Sequence, residues 1–149
     1  IDLQLDDSAP QIEADAGRLR QLLHNLVKNA MEAMEASEQQ QLVVSTRCAE
    51  EHACRFVDMK VEDSGPGIPE DMLGHLFDPY ITSKPKGSGL GLAIVKKIVE
   101  EHGGMIWAEN APKSGACIII RLPVINTGSD LKNNKMDNSM LMKSNDNAA

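Results

Sequence analysis

The chain has 149 residues, 42% hydrophobic and 25% charged, a size and mix that suit one soluble globular domain with a core of its own. A net charge of −7 argues against binding driven by a nucleic-acid backbone, and aromatics at 3% argue against stacking platforms for single strands. No apolar run approaches the ~18–20 residues that span a bilayer, and no charged start followed by an apolar stretch suggests a signal peptide.

Ile1, Leu3 and Leu5 alternate with polar residues and predict a first strand. Asp15 offers an N-cap to a long helix in which Leu19, Leu22, Leu23, Leu26, Val27, Ala30, Met31 and Met34 form a wide apolar stripe. Strands are predicted at 42–48 and 55–62. A long stretch punctuated by glycine and proline follows over 63–91, then a helix at 92–101 closed by Gly103 and Gly104. Two more strands are predicted at 105–109 and 117–122. The two adjacent strand pairs predict hairpins, and therefore a mixed α/β fold whose sheet is not all parallel. Residues 124–149 hold three Lys, three Asp and six Asn without periodicity, and read as a disordered tail. Met136, Met140 and Met142 leave a short docking helix there as the alternative. The cysteines, Cys48, Cys54 and Cys117, are odd in number and lack C-x-x-C spacing, which fits a reducing, cytoplasmic setting without disulfide or zinc.

Three groups of residues carry chemistry. Asn25 and Asn29 lie about 40° apart on the long helix, at the edge of its apolar stripe. Amide oxygens there suit Mg²⁺, a hard cation that keeps waters and phosphate oxygens; taken alone, the pair is more simply read as ordinary polar residues on a helix flank. Asp63-Ser64-Gly65-Pro66-Gly67 follows a strand. Its carboxylate could accept from an exocyclic amine such as adenine N6, and its glycines admit a flat ring, while a plain Asx turn is the alternative. Gly87-Ser88-Gly89-Leu90-Gly91-Leu92 opens the second helix. Backbone N–H groups at such a terminus hold phosphate, although a flexible hinge would have the same composition. The run is no Walker A loop, because no Gly-Lys-Ser/Thr ends it, and no strand precedes it as a dinucleotide fingerprint requires. Between the last two groups lies a long aperiodic loop with Phe77-Asp78-Pro79-Tyr80, Lys84 and Lys86, which reads as a lid that could bring a cation to a phosphate.

In their order and spacing these groups resemble the GHKL ATPase superfamily, specifically the ATP-binding catalytic domain of sensor histidine kinases. Asn25-Leu26-Val27-Lys28-Asn29-Ala30 resembles the N box, residues 63–67 the G1 box, residues 77–80 the F box, and residues 87–92 the G2 box. The run 77–84 is similar to the nitrogen-regulation (Ntr) type. The resemblance covers residues 1–123 and implies the Bergerat fold, an α/β two-layer sandwich with a mixed sheet backed by helices. It implies Mg²⁺ on Asn29, with Asn25 beside the phosphate path. It also implies adenine N6 on Asp63, and an adenine pocket shaped by Gly65, Gly67 and Ile68. Lys84 is then the lid candidate for the γ-phosphate, and Gly87, Ser88, Gly89, Leu90, Gly91 and Leu92 lie along the phosphates. The cofactors implied are ATP and Mg²⁺. The partners implied are a dimerisation and phosphoacceptor-histidine domain and a response regulator, with no nucleic acid and no membrane contact by this domain, in a parent that could be membrane-anchored.

Two departures stand out. Near Gly115 many relatives place a Thr on the last strand, whereas Ala116 and Cys117 follow here, so the resemblance does not carry over a side-chain hydroxyl contact to adenine from that strand. None of His24, His52, His75 and His102 is followed by the acceptor pattern His-Asp/Glu-x-x-x-Pro, so all four read as structural or solvated, His102 as a partly cationic ring in the last turn of its helix. The chain then reads as the catalytic half of a kinase. Its alternatives are a nucleotide-driven conformational ATPase, which would need a water-orienting carboxylate where Asn25 stands, and a binding module with broken motifs, which these are not.

Overall fold

The computed structural model describes residues 1–81 and 89–125. Five strands form one sheet in the order β1-β2-β3-β5-β4, with β1 Asp2–Gln4, β2 Leu42–Glu51, β3 Cys54–Asp63, β4 Met105–Asn110 and β5 Ala116–Pro123. The β1–β2 pair is parallel and the other three are antiparallel, so the sheet is mixed, as the adjacent strand pairs predict. Helices α1 Ala16–Ala33 and α3 Gly91–Glu101 cover one face, and a four-residue α2, Glu70–Leu73, falls inside the stretch read as aperiodic.

The α1 helix starts where Asp15 caps it: the Asp15 carboxylate accepts from the Arg18 N–H at 3.1 Å. Its contact ridge is Leu22, Leu26, Ala30 and Met34, all buried at i, i+4 spacing. Met31, placed in the stripe by sequence, is 58% exposed, so the ridge is narrower than the periodicity suggests. From α3, Val95, Ile98 and Val99 are buried, and they meet Leu42, Val44, Val61, Ile120 and Leu122 of the sheet. Ile1, Leu3 and Leu5 alternate as a strand should, yet stay exposed at 81%, 61% and 56%, because β1 is a short edge strand that the helices do not cover.

The two helices run antiparallel, tied where α1 begins and α3 ends. Arg18 pairs with Glu101 at 2.7 Å, which holds the Glu101 carboxyl below its usual range. His102 joins them a second time: its Nδ1 lies 2.7 Å from the Ile98 carbonyl and its Nε2 accepts from the Asp15 N–H at 3.1 Å. This pair of bonds gives His102 a structural role, joining the end of α3 to the start of α1.

On the other face Arg121 lies between the Phe56 and Trp107 rings, 5.3 and 5.5 Å from their centroids. It donates to both oxygens of Asp58, at 2.7 and 2.8 Å, and to Glu51 at 2.6 Å. Asp58, 3% exposed, is buried only because it is paired in this way.

The β2–β3 hairpin turns on His52 and Ala53, both in the left-handed region at φ 51° and 61°. A two-residue turn of this kind favours Asn-Gly, since a Cβ there is strained. Ala53→Gly is therefore expected to stabilise the domain by about 0.5–1 kcal/mol in urea melts, with no change in the slope of the transition.

Candidate functional site

Antiparallel packing brings the start of α3 against the second half of α1. The Asn25 amide Nδ2 lies 3.5 Å from the Gly91 carbonyl. A Cβ added to Gly91 would stand 3.8 Å from Asn29 Nδ2 and 4.0 Å from its Oδ1, so both amides border the same helix terminus. The N-cap residue Leu90 makes no side-chain cap hydrogen bond, and no acidic residue occupies the first turn of α3. The N-terminal N–H groups and the positive end of the helix dipole are thus presented beside two neutral amides, a surrounding that favours an anion. Leu92 directs its side chain to the core, so only its backbone serves this end.

One turn beyond Asn29, the end of α1 backs the 63–67 loop: a Cβ on Gly65 would come within 3.1 Å of the Ala33 carbonyl. Asp63 Oδ1 accepts from the Gly65 N–H at 2.9 Å and from the Ala116 N–H at 3.4 Å. The first of these is the Asx turn weighed above. Oδ2 receives no hydrogen bond among the described residues.

The β4–β5 turn, which the sequence did not single out as part of the site, closes over this loop. Asn110 grips Ile68 with both atoms of its amide, accepting from the N–H and donating to the carbonyl, each at 2.7 Å. The Ser114 hydroxyl donates to the Gly65 carbonyl at 2.6 Å. Gly115, at φ +110°, has no room for a side chain, since a Cβ would land on the Asp63 carbonyl.

Tyr80 and Gly89, at the two edges of the undescribed segment, also meet. The Tyr80 N–H donates to the Gly89 carbonyl at 3.0 Å, and a Cβ on Gly89 would lie 2.5 Å from the Tyr80 carbonyl carbon. Residues 80 and 89 are thereby pinned together. Lys84, Gly87 and Ser88 lie outside the described residues, as does the tail beyond 125. Val124 and Ile125, read as the start of that tail, still donate to the Arg55 and Gln11 carbonyls.

The histidines offer no acceptor geometry in the site: His24 is exposed, His52 sits in the hairpin turn, and His75 bonds Asp78 at 3.1 Å. Burial, with Glu62 adding to it, pushes the Cys117 thiol up to about 11, so it is no nucleophile at neutral pH.

Residues 14–126 match the family model described as histidine kinase-, DNA gyrase B-, and HSP90-like ATPase. The chain belongs to this ATPase family. Its relatives within the family are sensor histidine kinases. It is 42% identical over 120 residues to sensor histidine kinase TmoS of Ectopseudomonas mendocina, a match covering 79% of this chain and 12% of TmoS. It is 41% identical over 115 residues to the sensory histidine kinase/phosphatase NtrB of Rhizobium leguminosarum bv. phaseoli, covering 70% of this chain and 30% of NtrB. An Ntr-type relative is thus among the matches, and the chain spans well under half the length of either protein. The catalytic domain of histidine kinase ThkA superposes with a TM-score of 0.69 at 38% identity, covering 81% of this chain and 76% of that one. ThkA has also been solved in complex with the response regulator protein TrrA, there with a TM-score of 0.64. The mixed sheet backed by helices is therefore the histidine-kinase catalytic fold that the resemblance implies.

Proposed function

We infer that this chain binds Mg·ATP and delivers the γ-phosphoryl group to a histidine on a dimerisation domain, as the kinase half of a two-component system. The observation that carries this reading is the convergence of Asn25 and Asn29 on the start of α3, one helical turn from the Asp63 loop. Asp63 Oδ2 would accept from adenine N6, and Gly65, Gly67 and Ile68 would line the ring. The backbone of residues 87–92 would hold phosphates, with Lys84 reaching the γ-phosphate, the role that the resemblance gives it. Residues 1–123 would form the catalytic domain, and residues 124–149 a tail outside it.

The donor set fits Mg²⁺ only together with a nucleotide. Among the described residues no group of three or more His, Cys, Asp or Glu could hold a metal ion. Asn29 would supply one neutral oxygen, and phosphate oxygens and water the rest. Bound there, the ion would neutralise charge on the phosphates. The protein's part is to bind, align and exclude water around an in-line transfer. A water-activating ATPase is the second reading, but the side chain one turn before Asn29 is the amide of Asn25, which cannot act as a base. None of the helices among the described residues is long and apolar enough to cross a membrane. The parent's response regulator, its cytoplasmic placement and any membrane anchor are inferred from the kinase reading alone.

Two results are expected. Mg·ATP should raise the melting temperature, with a stabilisation of about 2.7 kcal/mol at one hundred times Kd. The chain alone should form no stable phosphohistidine, whereas a matching histidine domain supplied in trans should become labelled with an acid-labile, base-stable phosphate. Stoichiometric labelling of His24, His52, His75 or His102 would overturn the reading, as would release of free phosphate at the same rate with and without the acceptor domain.

A further inference from the structure

We propose that Asn110 is a positioning residue that presets the adenine loop for ATP, a role that rests on the nucleotide reading above. Residues 65–68 belong to no helix or strand, and they are held by four hydrogen bonds. One is local, from the Gly65 N–H to Asp63. The other three come from two side chains at the far end of the sheet edge, two from Asn110 and one from Ser114. Asn110 lies 42 residues away from Ile68 in sequence, so its planar amide ties the end of β4 to a distant loop.

The chemistry demands an amide. The Ile68 N–H needs an acceptor and the Ile68 carbonyl needs a donor, and Asn carries both on one short plane. Asp would keep the first bond and lose the second, and Gln would set the plane one methylene too far. Gly67 passes so close that a Cβ there would stand 3.0 Å from Asn110 Oδ1. Ala111 donates to the Gly115 carbonyl at 2.9 Å, which closes the turn carrying Asn110 and Ser114. Gly115 in turn rests on Asp63, and Ala116 donates to its carboxylate. One turn thus grips the loop at Ile68, at Gly65 and at Asp63. A loop ordered before the ligand arrives loses less freedom on binding, and the gain appears as affinity.

Asn110 touches no reacting atom in this arrangement. Its loss should therefore raise KM for Mg·ATP and leave kcat at saturating nucleotide unchanged. The test uses the full 149-residue chain, with Mg·ATP binding by calorimetry and phosphotransfer to a histidine domain supplied in trans. Asn110→Ala is expected to weaken Mg·ATP about tenfold, as two hydrogen bonds to the loop are lost, and Asn110→Asp to recover part of that loss. In an Asp63→Ala background one of the groups being positioned is gone, so Asn110→Ala should cost less than it does in the wild-type chain. Circular dichroism melts identify any variant that fails to fold, and the near-isosteric Asn110→Asp then carries the comparison. Wild-type affinity in both Asn110 variants would overturn the proposal. So would a tenfold loss that persists undiminished without Asp63, or a fall in kcat at constant KM. A wild-type chain that binds no Mg·ATP would instead sink the nucleotide reading, and the positioning role with it.

Discussion

Asn29→Ala should lower phosphoryl transfer to a supplied histidine domain by more than about 100-fold, the scale seen when one preorganised transition-state contact is removed. Its amide borders the start of α3 and is not part of the buried ridge of Leu22, Leu26, Ala30 and Met34. The change in stability should therefore stay within about 1 kcal/mol. Urea melts and single-turnover transfer, measured on the same preparation, separate the two effects. Full transfer by the mutant would remove Asn29 from the metal site, and a collapse of the melt would show that its role is structural.

The second large effect concerns base selection. An ionised carboxylate can accept from adenine N6 but repels the guanine O6, so the wild-type chain should prefer ATP strongly to GTP. Asp63→Ala should weaken ATP by about 1.5–3 kcal/mol, or roughly 10- to 150-fold. Asp63→Asn should lose less, because an amide oxygen can still accept, and should narrow the gap between ATP and GTP because the same amide can donate. Competition binding with both nucleotides reads out each term. Equal affinity of the wild-type chain for ATP and GTP would contradict the assignment. Asp63 also accepts from the Gly65 and Ala116 N–H groups, so a melt must accompany each measurement.

Much of this architecture is legible in the sequence. The Asp15 cap and the apolar spacing after it mark α1 because both signals are local. The paired runs around His52 and Ala53 mark a hairpin for the same reason, although the turn lacks the glycine usual there. The insertion of β5 between β3 and β4 was not legible, because pairings such as Val61 with Ile118 join residues far apart in the chain. Alternation marked β1 as a strand, but a single strand's pattern cannot say that it lies at an uncovered edge. The Asn pair, the Asp63 loop and the G2 segment could be named because each carries a chemical signature in a short window. Asn110 and Ser114 could not. The segment from Asn110 to Gly115 has the composition of any turn, and its grip on Ile68 and Gly65 exists only after the sheet has formed. The α2 helix was missed because four residues are too short for a periodic signal.

The direction of β5 bears on how this protein can be handled. The strand begins at Ala116, beside Asp63, and ends at Pro123, paired with Phe56 at the opposite margin of the sheet. Seven steps of about 3.3 Å separate the two by roughly 23 Å. The backbone then continues through Val124 and Ile125, which are fastened to Arg55 and Gln11. A fluorophore, surface tether or fused reporter joined after Ile125 would thus project from the pole remote from the Asp63 loop. Nucleotide entry would remain unobstructed, and a second dye near Tyr80 would form a donor–acceptor pair whose fixed end is anchored to the sheet.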